Sequence, residues 1–296
     1  MSDLQAWILA IRPKTLPAAV GPVLVGSALA FADNQFALIP ALAALGISLL
    51  LQIGVNLAND YFDGIKGIDT KERLGPVRVT QSGLIAPAAV KTAMLLTFSL
   101  AAGIGFYLMM FGGWPVIFIG TASILAALGY SGGPFPLASH GLGDLFVFIF
   151  FGLVAVCGTY YVQALQLTWL VFFMAAAVGL PITAILVINN LRDLPTDQKV
   201  GKNTLAVILG EDLSKIEYSL LLALAYGLLL IIWMAGWASF WILFPLLSLP
   251  WAVALIRTVL RSDITPGLNS MLAKTAGLSL LYSILLAVGF IVSAHL

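Results

Sequence analysis

The feature that most limits this chain is the recurrence of apolar stretches long enough to cross a bilayer. They lie near residues 15–33, 38–58, 87–111, 114–130, 143–164, 168–190, 214–235, 238–260 and 275–293. A helix needs about 20 predominantly apolar residues to span the hydrocarbon core. Lipid offers no hydrogen bonds, so each stretch must satisfy its own backbone as a helix. The 296 residues are 61% hydrophobic and 9% charged, where soluble domains carry about 25% charged residues. The fold class expected is all-α: a polytopic membrane protein with nine transmembrane helices, the whole chain, 1–296, forming a single transmembrane domain. No soluble domain fits between the spans. The longest connections, roughly 62–88 and 191–214, are rich in charge and glycine.

The charges test the count. Arg12 and Lys14 precede the first span; Lys66, Lys71, Arg73, Arg78 and Lys91 lie between or beside the second and third. Arg192, Lys199, Lys202 and Lys215 join the sixth to the seventh, and Arg257, Arg261 and Lys274 the eighth to the ninth. Nine spans put all 14 Lys and Arg on one face; an error of one span scatters them over both. The positive-inside rule makes that face cytoplasmic, with the N-terminus inside and the C-terminus outside. A net charge of +1 gives no reason to expect nucleic acid. Cys157 is alone, so no intramolecular disulfide is possible. The segment around Ala28–Ala30 imitates a signal-peptide cleavage site, but Pro17 and Pro22 interrupt the apolar run, and retention is expected.

Two acidic clusters break the apolar pattern. Gln52, Asn56, Asn59, Asp60 and Asp63 are spaced as one face of a helix ending the second span. That face must turn into the bundle, since Asp near the bilayer centre costs about 2.5–3.5 kcal/mol. At the end of the sixth span, Asn189, Asp193 and Asp197 are four apart. Pro195 disfavours helix at Leu194, so Asp193 is expected on the last turn and Asp197 on the loop. The clusters lie four spans apart on helices of the same direction, each followed by a basic, glycine-containing loop ("GIKG", "VGKNT"). This pattern suggests two pseudo-repeats, spans 1–4 and 5–8, plus a ninth helix.

Helix C-termini present negative potential and free carbonyls, so Asp and Asn gathered there suit a hard cation. Mg²⁺ takes one or two carboxylates and completes its shell with substrate phosphate. Two carboxylate sets facing each other suit Mg²⁺ on a diphosphate, with Lys66, Lys71, Arg73, Arg78, Lys199 and Lys202 on its non-bridging oxygens. Losing diphosphate from an allylic carbon leaves a cation, which needs a dry, π-rich cavity. Tyr61, Phe62, Tyr130, Phe135, Tyr160 and Tyr161 lie near membrane ends, and Tyr130 is the favoured lining residue. Arg12 and Lys14 serve as topology anchors or substrate contacts. Asp144 opens the fifth span, where it suits either the helix dipole or acceptor positioning and proton handling beside Tyr130. Gln81 is a weaker substrate contact, and His140 reads as a loop histidine.

"NLANDYFD" at 56–63 and "NNLRDLPTDQKVGKNT" at 189–204 resemble the two Asp-rich motifs of the UbiA superfamily of intramembrane aromatic prenyltransferases. "RPKTLPAAVGPVLVG", "RLGPVRVTQSGLI", "YSGGPFPL", "GLGDLFVFIFFG" and "GKNTLAVILGE" are similar, in order, to the branch acting on 1,4-dihydroxy-2-naphthoate. The resemblance implies nine helices around a central cavity with a lateral opening for a lipid tail, in the bacterial cytoplasmic membrane. It implies Mg²⁺ and polyprenyl diphosphate held by Asn56, Asn59, Asp60 and Asp63 of the first motif and Asn189, Asp193 and Asp197 of the second. It also implies a decarboxylative alkylation giving demethylmenaquinone, CO₂ and diphosphate. Asn189 stands where relatives often have Asp, and Asp69 is six residues beyond Asp63 rather than four. Three other readings stay open. Another aromatic acceptor, such as 4-hydroxybenzoate, is one. A CDP-alcohol phosphatidyltransferase shares Asp-x-x-Asp-Gly at 60–64, but Gly67-Ile68 stands where its Ala-Arg pair belongs. An ion-coupled transporter places its acids near the midplane, whereas here they gather at one mouth.

Overall fold

The computed structural model describes residues 2–68, 74–265 and 267–295. Asp69, Lys71 and Arg73, named above, lie outside the described residues. The chain is helical almost throughout: α1 (Asp3–Ile11), α2 (Pro17–Ala32), α3 (Leu38–Ile65), α4 (Pro87–Gly112), α5 (Trp114–Ser131), α6 (Gly143–Ala164), α7 (Trp169–Lys199), short α8 (Leu205–Leu209), α9 (Glu211–Met234), α10 (Phe240–Arg261) and α11 (Leu268–His295). Among the described residues eight helices are long and apolar enough to cross a bilayer, and nine if the bent pair Asp3–Thr15 and Pro17–Ala32 is one span. The expected nine spans are thus present, the first of them broken by 47°. The break has a local cause: Arg12 adopts a left-handed φ of 56° and ends α1, and Pro17 restarts the chain as a first-turn proline.

The bundle is organised around α7. Its Ala175, Ala177, Val178 and Ala184 are fully buried, and small side chains let neighbouring helices approach closely, the usual basis of packing in lipid. One close crossing pairs Gly179 with Gly152 of α6, where a Cβ built on Gly152 would stand 2.7 Å from the Gly179 α carbon. At this crossing α6 widens into a π-helix over Phe148–Val154. Elsewhere α3 packs on α4, α2 on α11, and α9 on α7.

The two helices that carry the acidic motifs outrun their apolar windows, and both do so at the same end of the bundle. The 28 residues of α3 and the 31 of α7 reach about 42 and 46 Å at 1.5 Å per residue, beyond a hydrocarbon core of about 30 Å. Asp197, expected on a loop, is therefore helical: α7 continues through Pro195 to Lys199. Just past the proline, Thr196 Oγ1 donates to the Asp193 carbonyl at 2.8 Å, and a glycine stop closes the helix. Gly201, with φ of +71°, lets the Lys202 amide reach back to the Asp197 carbonyl at 2.9 Å. The end of α3 repeats that arrangement. Gly67, with φ of +66°, lets the Ile68 amide bond the Asp63 carbonyl at 3.1 Å. Asp63 and Asp197 thus occupy the same position relative to two identical helix stops.

Candidate active site

The two helix ends meet at the polar end of one large cavity. Its volume is about 350 Å³, and Arg12, Gln52, Asn56, Asn59, Tyr130 and Asn189 line its polar part. The rest of the wall is mostly apolar and runs to Leu108, Val116 and Val162 at the far ends of α4, α5 and α6. It reaches the outer surface of the bundle at Phe106 and Ile119, which line it and are exposed.

On α3 the polar face is divided between holding and presenting. Gln52 Nε2 donates to Thr15 Oγ1 at 2.9 Å, and Asn56 Nδ2 donates to Thr15 Oγ1 at 3.0 Å and the Ile11 carbonyl at 2.9 Å. These bonds pin the break between α1 and α2, and leave Oδ1 as the Asn56 atom suited to a cation. Asn59 Oδ1 accepts from Ser131 Oγ at 2.7 Å. Asp60 is 1% exposed and accepts from the Val79 amide at 3.0 Å and the Thr80 amide at 2.8 Å. It therefore fastens the segment that follows α3, while a carboxylate's further lone pairs remain for a ligand. Asp63 is buried between Arg78 Nη2 and Lys202 Nζ, each 3.6 Å away.

Lys202 belongs to the loop after α7, so the Asp63 contact joins the two motifs directly. On α7, Asn189 Oδ1 accepts from Arg192 Nη2 at 2.9 Å, and Asp193 takes a two-pronged contact from Arg192. Asp197 is buried one turn further on. Asp63, Asp144 and Asp197 are the carboxylates whose charge bears on the Tyr130 hydroxyl. That hydroxyl packs against the start of α6, since a Cβ on Gly143 would lie 3.2 Å from it. Asp144, the next residue, is 5% exposed, and neither carboxylate oxygen has a hydrogen-bond partner among the described residues.

The other residues singled out in the sequence lie as follows. Lys66 donates to the Ser131 and Gly133 carbonyls at 2.9 and 3.5 Å, capping α5. Lys14, Gln81 and Lys199 are exposed. Phe135 stacks on His140 at 3.6 Å, and Tyr160 donates to Asp33 at the opposite end of the bundle. Of the aromatics proposed for the cavity, Tyr130 and Tyr161 line it. Leu57 and Ala58, which fall between the polar positions of α3, are buried in a core formed with α4. Sequence reasoning passed over Thr15, Ser131, Glu217 and Asn269. Glu217, on α9, is a carboxylate that the charge of Asp144 reaches, and the only cue to it was an acid within an apolar helix.

The UbiA prenyltransferase family matches residues 19–272. The chain belongs to this family. It is 41% identical over 253 residues to the 1,4-dihydroxy-2-naphthoate octaprenyltransferase of Mycobacterium tuberculosis, covering 86% of this chain and 85% of that one. It is 38% identical over 301 residues to the protein of the same name from Escherichia coli, covering 99% and 97%. A UbiA homolog from Archaeoglobus fulgidus, solved bound to GPP and Mg²⁺, has the same fold, with a TM-score of 0.68 over 97% of this chain and 99% of that one at 14% identity. This UbiA chain is therefore an integral membrane prenyltransferase.

Proposed function

We propose that this protein transfers a polyprenyl group from polyprenyl diphosphate to 1,4-dihydroxy-2-naphthoate, with Mg²⁺, releasing CO₂ and diphosphate. The observation that carries the reading is the 3.6 Å approach of Lys202, in the loop that closes the second motif, to Asp63 of the first, at the polar end of a mostly apolar cavity. The acceptor follows the names of the relatives at 38–41% identity. The polar end faces the cytoplasm of a bacterial inner membrane, as the clustered Lys and Arg support, and the two matched helix stops support reading the halves as repeats.

The donor set fits the metal. Among the described residues no three of His, Cys, Asp and Glu form a ready-made metal cage, and Mg²⁺ characteristically completes its shell with substrate phosphate. Asp60, Asp63, Asp193 and Asp197, with the amide oxygens of Asn56, Asn59 and Asn189, would hold it. When bound, Mg²⁺ neutralises charge on the departing diphosphate. Arg78 and Lys202, with Arg12 at the cavity wall, bind and orient the same group, and Lys66, Arg73, Lys199, Lys14 and Gln81 are the further polar residues that the sequence offers it. The apolar walls exclude water from the allylic cation, and the Tyr130 ring faces it.

The step balances without a net proton. The prenyl C–O bond breaks, and a C–C bond forms at the ring carbon bearing the carboxylate. The C–carboxylate bond then breaks, and its electron pair returns to the ring. One hydroxyl proton leaves as the ring attacks and returns as CO₂ departs. Asp144, whose carboxylate oxygens have no donor among the described residues, takes that proton by way of the Tyr130 hydroxyl once the acceptor is bound, and gives it back. The ring leaves at the hydroquinone level, as reduced demethylmenaquinone. The test is incubation of purified protein with 1,4-dihydroxy-2-naphthoate and labelled prenyl diphosphates, reading product mass, released CO₂ and Mg²⁺ dependence. Prenylation of 4-hydroxybenzoate alone, or product formed equally well in chelator, would overturn the reading.

A further inference from the structure

The second motif contains a charged residue that the chemistry above does not use. Arg192 is 1% exposed. Its Nε donates to Asp193 Oδ1 at 2.8 Å and its Nη2 to Asp193 Oδ2 at 2.6 Å. Nη2 also donates to Asn189 Oδ1, and Nη1 donates to Asn269 Oδ1, both at 2.9 Å. Asn269 stands in the first turn of α11, far from either motif in sequence, and its Nδ2 donates to the Leu74 carbonyl at 2.9 Å. Gly75 lies against the guanidinium, where a Cβ would stand 2.7 Å from Nη2.

A buried guanidinium is costly unless it is paired, and Asp193 alone would supply the charge. The added amides do something else: they fix the plane of the fork. A carboxylate offers about four lone-pair sites, and a two-pronged Arg takes the pair on one edge. The opposite edge of Asp193 is thereby set in one direction. The segment beginning at Leu74 is held at its other end by Asp60, through the Val79 and Thr80 amides. That segment carries Arg78, which faces Asp63.

We infer that Asn269 and Arg192 are positioning residues that align Asp193 with the Leu74–Thr80 segment, so that both acidic motifs present a single diphosphate-binding site. The inference rests on the reading of the two motifs as the diphosphate grip. It gives the last span, which contributes no acid, a defined part in substrate binding.

Asn269→Ala, Asn269→Asp and Arg192→Lys test it by two measurements. The first is steady-state kinetics with each substrate varied separately. Asn269→Ala and Arg192→Lys should raise KM for prenyl diphosphate about tenfold, the effect of one lost hydrogen bond to a charged group, with acceptor KM within about twofold. The second is amide hydrogen exchange over residues 74–80 in chelator, without substrate. Asn269→Ala should speed exchange about tenfold. Asn269→Asp keeps an acceptor for Arg192 but loses the donor to Leu74, so it should speed exchange while leaving KM nearer wild type. Wild-type KM and unchanged exchange in Asn269→Ala would overturn the inference. So would a fall in kcat alone, the mark of a smaller folded fraction. Failure of the wild-type protein to prenylate the naphthoate would refute the proposed function instead, and the exchange measurement would still test the clamp.

Discussion

Asp60 is both a motif residue and a fastener, and Asp60→Asn separates the two roles. The substitution keeps size and shape but removes the charge. In the wild type one carboxylate accepts the Val79 and Thr80 amides at 3.0 and 2.8 Å, in a place that is 1% exposed. Hydrogen bonds to a charged group contribute about 1.5–3 kcal/mol each, or roughly 4 kcal/mol for the pair. Asn keeps one neutral bond, worth about 1 kcal/mol, and turns its own NH₂ toward the other amide, donor against donor. The net loss is about 3 kcal/mol, a factor of roughly 150 in the opening of this segment. Amide exchange at Val79 and Thr80, measured in chelator so that no cation contributes, should accelerate by about that factor. Exchange in the α7 core around Ala177 should stay unchanged. Turnover should fall further than the segment's opening alone explains, because the charge is also lost from the first motif. Exchange at Val79 and Thr80 matching wild type would refute the reasoning, since it would mean that those amides do not depend on the carboxylate.

Three further perturbations address other parts of the site. Tyr130→Phe keeps the ring and removes the hydroxyl; turnover of the naphthoate should fall by about 10²–10⁴, the usual contribution of a proton-transferring group, while KM for prenyl diphosphate holds, as steady-state kinetics would show. Val116→Trp fills the far end of the cavity, so long prenyl diphosphates should be disfavoured about tenfold relative to geranyl diphosphate, read by competition between labelled donors. Gly179→Val forces a side chain into the crossing with Gly152, where there is no room for even a Cβ, and should destabilise the fold by about 1–3 kcal/mol, seen as earlier thermal unfolding in detergent.

Hydropathy found the spans because lipid enforces them, but it reports apolar character rather than helix, and so it stopped short where the helices become polar. The windows ended at 58 and 190, yet α3 runs to Ile65 and α7 to Lys199. Those extra turns carry Asp60, Asp63, Asp193 and Asp197, so the site lies just where that signal fades. Proline chemistry misled for a related reason. An interior proline costs about 3 kcal/mol, which ends a marginal helix, but α7 is held by a buried core on one side of Pro195 and a glycine stop on the other. Periodicity did place the acids on inward faces, since it depends only on spacing along one helix. It had no access to partners far apart in the chain: Arg192 to Asn269, 77 residues away, Asp60 to Thr80 across a loop, or Asp144 left without a donor. The composition of each motif points to the atoms proposed for the chemistry, whereas their alignment depends on residues that look unremarkable in sequence. A chain with both acidic motifs intact but lacking the amide at position 269 should therefore still read as a family member while binding its diphosphate poorly.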